Sequence, residues 1–385
     1  MQLWATEFNS AKYSRNPEYL VGIGPYRFHE WKPGQSFTLI RKKAHWSFQK
    51  QSEVGPDEII FKINADPNSH MLEFKTQVYD GSQYLASKDL YTLQNNEGFS
   101  SNYNSAVIPS YNYTYLGLNC RPDGIKHQKL FNDQLVRRAI AHAIPYDAIN
   151  EIVNFGVAMR VAGPVSPLKE ECNSELLPIA SNLDVAAVML DKSGWIDTDG
   201  DNIRDKIIVG VRVPFKFDLH YMNAPASWAT QASLIAESLK EIGVECNPVA
   251  MSFAVLRQRN KLHDFDAMLS AWAGSSLPED YTQIWGTESW ANQGSNYVGF
   301  GNPAADQLID SIKYEVNIDK RNALSFQLQE LIYKEQPYVF LFASTKRIVA
   351  HKRFSNVTVS SEPPHVFLHD WWLGSNVLIK DEQVP

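Results

Sequence analysis

The sequence predicts an α/β protein with a β-rich opening stretch, on three observations. Residues 216–250 read as strand, helix, strand; at this spacing that is a βαβ crossover, which makes its two strands parallel. Residues 24–41 read as a β-hairpin turning at Pro33-Gly34. Later segments alternate helical periodicity with short apolar runs, as helices packed on a sheet do.

In chain order, Tyr26 and Phe28 alternate with Arg27 and His29, and Phe37, Leu39 and Arg41 alternate on the return strand. A further strand, Glu58 to Asn64, leads to Pro67, which suits the first turn of a short helix through Met71 and Phe74. Residues 92–112, rich in Asn, Ser and Tyr, read as loop, followed by a strand from Tyr113 to Asn119. Asn132 or Asp133 can cap a helix through Val136 and Ile140, and Pro145 opens another. Asp184 to Lys192 is a short helix with Gly194 as its left-handed stop. In the crossover, Lys216–Met222 and Val244–Ala250 are the strands, Ser227–Ile242 the helix and Gly243 its C-cap. A helix from Phe253 to Asn260 and a strand from Phe265 to Ala273 follow. Asn302-Pro303 is an N-cap with Pro at the first helical position, a longer helix opens at Asp319, and residues 337–350 return to strand. The tail from Phe354 is rich in Pro and aromatics.

The chain has 385 residues, 44% of them hydrophobic and 21% charged, which excludes a disordered polypeptide. Its net charge of −7 argues against a general nucleic-acid binder. The first fifty residues carry eight basic and three acidic side chains, so a basic patch around Arg41, Lys42 and Lys43 stands beside the plainer reading of a solvated strand end. Cys120, Cys172 and Cys246 are too few and too scattered for a disulfide framework or a zinc site. No apolar run approaches a membrane span, and the opening Met1 to Phe8 lacks the basic start and apolar core of a signal peptide.

Catalytic signatures are absent: no G-x-S-x-G, P-loop or C-x-x-C occurs. Gly22-Ile-Gly24 leads into a hairpin, not a helix, and His29-Glu30 lacks the second His of a zinc-protease string. His365, His369 and Asp370 offer metal-ligand chemistry without an evident further ligand. Asp197, Asp199, Asp201 and Asp205 place carboxylates around a turn that can wrap calcium, a structural ion at most. Asn202 and Ile208 stand where an EF-hand needs Gly and Glu, and the same residues suit a solvated polar turn. The stretch Ala271–Trp285 follows a predicted buried strand, beyond whose carboxyl end ligands bind in open α/β sheets. Trp272, Tyr281 and Trp285 offer flat apolar walls, and Ser275, Ser276, Glu279 and Asp280 offer polar groups. The other reading is a surface loop whose aromatics pack back on the sheet.

Val21-Gly-Ile-Gly-Pro-Tyr-Arg-Phe-His-Glu-Trp-Lys-Pro-Gly34 resembles the hairpin of the family 5 extracellular solute-binding proteins, the oligopeptide-, dipeptide- and nickel-binding components of ABC importers. Tyr115–Asn119, Phe131–Ile144, Gly194–Asp201, Asp264–Trp272, Asn296–Pro303 and the helix from Asp319 to Gln336 are similar to further blocks of that family, in its order. The resemblance implies a periplasmic-binding-protein-like two-lobed clamp of type II. Residues 1–118 would then be part of lobe I, 119–345 the second lobe and 346–385 the return to lobe I. It also implies a fragment that lacks the N-terminal part of lobe I, a small extra domain and the signal segment. The expected work is binding, not catalysis, outside the cytoplasmic membrane. The ligand would be a small solute or short peptide and the partner an ABC transporter permease. The membrane is met only through that permease or a precursor's N-terminal anchor, with a lipid anchor as one form of it. No cofactor is required. Peptide-binding members hold the ligand's α-amino group with an Asp in a W-x-x-D string, where this chain has Ser275 after Trp272. A hydroxyl lacks that charge, so Glu279, Asp280 or the missing N-terminal region would have to stand in. An oligosaccharide, a metal chelate or a ligand-sensing role are the alternatives.

Overall fold

A computed structural model describes residues 10, 22–48, 55–64, 66–121, 130–208, 210–374 and 380–381. Met1 to Phe8, Val21 of the hairpin motif and the terminal Val384-Pro385 lie outside the described residues. The chain divides into two compact units. One runs to Ile108 and resumes at Lys346, and the other is Pro109–Thr345. The sequence reading put the first boundary at residue 118, whereas this division falls inside a strand that ends there.

The first unit opens with the expected hairpin. β1 (Tyr26–Lys32) and β2 (Ser36–Arg41) pair antiparallel, and β3 (Glu58–Lys62) joins β2. Gly34 turns the hairpin at φ +72°, in the left-handed region that glycine occupies without steric cost. The basic side chains at its end have local partners: Arg41 pairs with Asp57 at 2.5 Å and Lys42 donates to Gly22 O at 2.5 Å. Asp66 caps α1 (Pro67–Lys75), accepting from Asn68 N at 3.0 Å. After β4 (Gly81–Ser82) the chain forms α2 (Ser87–Gln94), α3 (Glu97–Asn102) and β5 (Tyr103–Leu118).

This corrects the expectation of loop over 92–112. Asn96 caps α3 through Phe99 N, and Tyr103, Ile108, Tyr111 and Tyr113 are buried side chains of a long strand. Polar composition hid them, because a tyrosine buries its ring while its hydroxyl finds a partner. The Tyr103 hydroxyl donates to Tyr79 O at 2.6 Å.

The second unit is α/β. Asp133 caps α4 (Gln134–His142), and Pro145 precedes α5 (Tyr146–Asn154). β6 (Met159–Arg160) and α6 (Leu183–Lys192) follow, with Gly194 at φ +78° ending the helix as expected. A small antiparallel hairpin, β7 (Asp205–Ile208) and β8 (Val211–Pro214), leads into the crossover. β9 (Lys216–Met222), α7 (Ser227–Lys240) and β10 (Glu245–Met251) have the predicted order, and β9 and β10 are parallel in register from Lys216 opposite Glu245. Ser252 caps α8 (Phe253–Lys261), which returns the chain to β11 (Ala267–Trp272) on the other side of β9. Two short helices, α9 (Thr282–Trp285) and α10 (Thr287–Ala291), precede the Asn302-capped α11 (Pro303–Tyr314) and α12 (Ile318–Glu335). The last long strand is β12 (Tyr338–His351).

In this unit the strand order is β10-β9-β11-β5-β12, with β6 also on β12. One face of the sheet packs on α4, α6 and α7 through residues such as Ile140, Leu190, Ile235, Leu219 and Leu269. The other carries an aromatic core of Tyr115, Trp285, Phe300, Tyr338 and Phe340 under α11 and α12. Beyond Thr345, β12 pairs with β4, Val349 opposite Ser82. The first unit closes with β13 (Phe354–Ser355), β14 (Thr358–Val359), β15 (Trp372–Leu373) and β16 (Lys380–Asp381).

Candidate functional site: the loop beyond β11

β11 lies between β9, to which it is parallel, and β5, to which it is antiparallel. Ala267, Met268 and Leu269 are fully buried, so the loop that follows leaves the sheet from a fixed point. It turns immediately. Gly274 N donates to Asn112 Oδ1 at 3.0 Å, and a Cβ on Gly274 would lie 2.5 Å from Tyr111 O. Only glycine allows the loop this close to β5.

The structure separates the three aromatic residues expected to wall a ligand. Trp272 is half-buried and stacks with Tyr115 (centroids 6.3 Å apart, 9° between planes) and Tyr297 (5.9 Å, 16°). Its Nε1 donates to the Tyr338 hydroxyl at 3.3 Å. Tyr281 and Trp285 are only 3% and 2% exposed. α9 turns them inward, where Trp285 packs edge-on to Phe300 at 5.3 Å and Tyr281 meets Ser325 Oγ at 2.6 Å. They serve the aromatic core. Among the polar residues, Ser275 Oγ accepts from Leu277 N at 3.3 Å, Ser276 is exposed, and Asp280 caps its own turn through Thr282 N at 2.9 Å.

Glu279 leads to residues the sequence did not single out. Lys169, whose side chain is 5% exposed, places Nζ 2.5 Å from Glu279 Oε1 and 3.1 Å from Glu171 Oε1. Glu171 Oε1 also accepts from Glu279 N at 2.9 Å. Burial pushes the Glu279 carboxyl above its ordinary range, against the pull of Lys169. Gln329 of α12 continues the network: its Nε2 donates to Glu171 O (2.7 Å) and Ser325 Oγ (2.9 Å), and its Oε1 accepts from Asn173 N (2.9 Å). Lys169 and Glu279 are 110 positions apart, so no local pattern could have shown them together.

The four aspartates of the acidic turn are not equivalent. Ligand oxygens of Asp197, Asp199 and Asp205 lie within 4.8 Å of one another, while Asp201 Oδ1 accepts from Ile203 N at 2.8 Å. Asp197 spends both oxygens on Gly200 N (2.7 Å) and Asn202 N (3.0 Å). Arg212 of β8 pairs with Asp199 and, at 3.0 Å, with Asp205, supplying the positive charge that a cation would. Hydrogen bonding from Arg212 lowers the Asp199 carboxyl, and hydrogen bonding from Thr198, then Arg212, lowers that of Asp205. A carboxylate depressed in the fold stabilises it above the ordinary carboxylate range, and that stability is lost as pH falls through the folded value. An Arg212→Met variant should therefore show a flatter loss of Tm with acid below about pH 4 than the native chain. Superimposable Tm–pH profiles would contradict this role. Elsewhere, His365 Nδ1 faces Ser360 O at 3.1 Å and His369 lies 3.4 Å from Asp370; among the described residues these do not gather a metal-ligand group of three.

The sequence model described as "Bacterial extracellular solute-binding proteins, family 5 Middle" matches residues 2–295, about three quarters of the chain. The chain belongs to family 5. Members of this solute-binding family are binding proteins, not enzymes. One family 5 relative is the oligopeptide-binding protein AppA of Bacillus subtilis (strain 168), 27% identical over 360 residues, covering 92% of this chain and 62% of the relative. The chain thus spans about half to three fifths of the length of the curated relatives it matches. Among solved structures, AppA from Bacillus subtilis in complex with a nonapeptide is similar with a TM-score of 0.76 at 24% identity, over 96% of this chain and 71% of that one. NikA from Brucella suis in complex with Fe(III)-EDTA has a TM-score of 0.78 at 20% identity, over 92% and 68%. The α/β fold is that of the family 5 binding proteins. Among the described residues, no helix is long and apolar enough to cross a membrane.

Proposed function

We propose that this family 5 chain captures a short peptide outside the cytoplasmic membrane and hands it to an ABC transporter permease. The observation that carries this reading is the loop beyond β11, where half-buried Trp272 is followed in the chain by Ser275, Ser276 and Asp280. An aromatic surface beside a few polar groups suits an amphipathic solute. One relative, AppA at 27% identity, is an oligopeptide-binding protein, which supports a peptide over other solutes. Capture needs no bond to be made or broken. The solute is buried by a closing motion and released by the reverse. Attachment to the membrane, by a lipid anchor or through the permease alone, belongs to the same proposal.

A second reading has its own support. Ser275 offers a hydroxyl where a ligand ammonium would call for a carboxylate, and a structural relative of this fold, NikA, was solved with Fe(III)-EDTA. A metal chelate or an oligosaccharide is then the solute. Native mass spectrometry of the protein as purified, with identification of whatever dissociates from it, separates the two. A spread of short peptides is expected. A single sugar or chelate would overturn the peptide reading.

A further inference from the structure

We propose that Lys169 is a positioning residue that latches the 273–281 loop, and through it the solute site, into its binding geometry. The inference rests on the reading of that loop as the site. The loop is held at two places by different means. Gly274 N is held by Asn112 on β5. Five residues later, Glu279 is held by its side chain on Lys169 at 2.5 Å and by its backbone N–H on Glu171 at 2.9 Å. Lys169 also orients Glu171 at 3.1 Å, so one ammonium sets both halves of the second hold. Behind it, Gln329 and Ser325 of α12 tie the Glu171 backbone and the Tyr281 hydroxyl to the aromatic core. A lysine side chain only 5% exposed, with two carboxylates as partners, is costly to bury for packing alone. What it supplies is a fixed position for the loop.

The latch is also sensitive to acid. The charged and titratable groups around the Glu279 carboxyl are Lys169, Glu171, Asp280 and the phenols of Tyr113 and Tyr281. Protonation of Glu279 removes its charge from Lys169 and leaves that ammonium to Glu171. Because burial raises the Glu279 carboxyl, the release comes at a pH above that at which an exposed glutamate would titrate.

The test uses the full chain, tetra-alanine as the probe ligand, and the variants Lys169→Met, Lys169→Arg and Glu279→Gln. In hydrogen exchange, Lys169→Met should speed the Glu279 amide about tenfold or more while leaving the Gly274 amide at its native rate, since Asn112 still holds it. The same variant should bind tetra-alanine about tenfold more weakly, and Lys169→Arg should restore most of the loss. Native affinity should fall on acidification, and Glu279→Gln should flatten that fall without unfolding, being isosteric. Equal speeding of both amides would reveal general loosening and overturn the proposal. So would native tetra-alanine affinity in Lys169→Met, or an unchanged pH profile in Glu279→Gln. Native protein that binds no peptide fails the ligand reading instead, and the two amides then decide the latch alone.

Discussion

An Arg137→Met variant is expected to lose about 3–5 kcal/mol of stability, the scale of removing one partner from a buried ion pair. Arg137 lies on α4 and is 4% exposed. Its Nε donates to Glu335 O at 2.7 Å and its Nη2 to Glu335 Oε2 at 2.9 Å. Its Nη1 reaches Phe131 O at 2.8 Å and Asn132 O at 3.0 Å. One planar guanidinium thus ties the chain entering α4 to the last residue of α12. Methionine replaces the methylenes but none of the donors, leaving three carbonyls and a carboxylate to find water or stay unpaired. The Glu335 side chain, 32% exposed, recovers some hydration, which places the loss toward the lower end. Urea unfolding measures it directly, and a change under about 1 kcal/mol would refute the account. Arg137→Lys should fall between, since an ammonium keeps the charge but cannot span the same acceptors.

Trp285→Ala should cost about 3–5 kcal/mol, as large-to-small changes in aromatic cores do. The indole is 2% exposed and contacts Tyr338, Phe340 and Phe300, so its removal opens a cavity between α9 and the sheet. Trp272→Ala should cost under about half as much, because Trp272 is half-buried. It should instead weaken solute binding. Thermal unfolding and peptide titration of the two variants separate a core tryptophan from the proposed contact tryptophan. If Trp285→Ala left Tm unchanged and abolished binding, the assignment of the two residues would be reversed.

The contrast shows what was legible in the residues. Asn302-Pro303, Pro145, Gly194 and Gly243 punctuate the second unit where its helices begin and end, because caps act within a turn of the residue that makes them. The parallel pair β9 and β10 was readable because its crossover is local. The part of the β5 strand before Tyr113 was not, because beside Ile108 its buried positions are Tyr103, Ser110 and Tyr111, set among asparagines and a half-buried serine. Of the candidate site, the sequence singled out the loop and Trp272 by their place after a buried strand, β11. Which aromatics face inward depended on a four-residue helix, α9, too short to leave a periodic signal. The network of Lys169 and Glu171, Glu279 and Gln329 joins three distant segments, and its polar residues, read one at a time, look like solvent-facing surface.

The sheet's pairing decides when, during synthesis, it can be completed. β12 begins at Tyr338 yet lies inside the sheet, next to β5, with Thr114 and Phe342 hydrogen-bonded across 228 positions. A nascent chain that stops short of β12 can assemble β9, β10 and β11 but exposes a long β5 edge of unpaired amides and carbonyls, the kind of edge that recruits foreign strands. Contacts this distant in sequence also slow closure of the fold. The pairing that covers β5 therefore waits for the last long strand, and until β12 is made the sheet is unfinished along that edge.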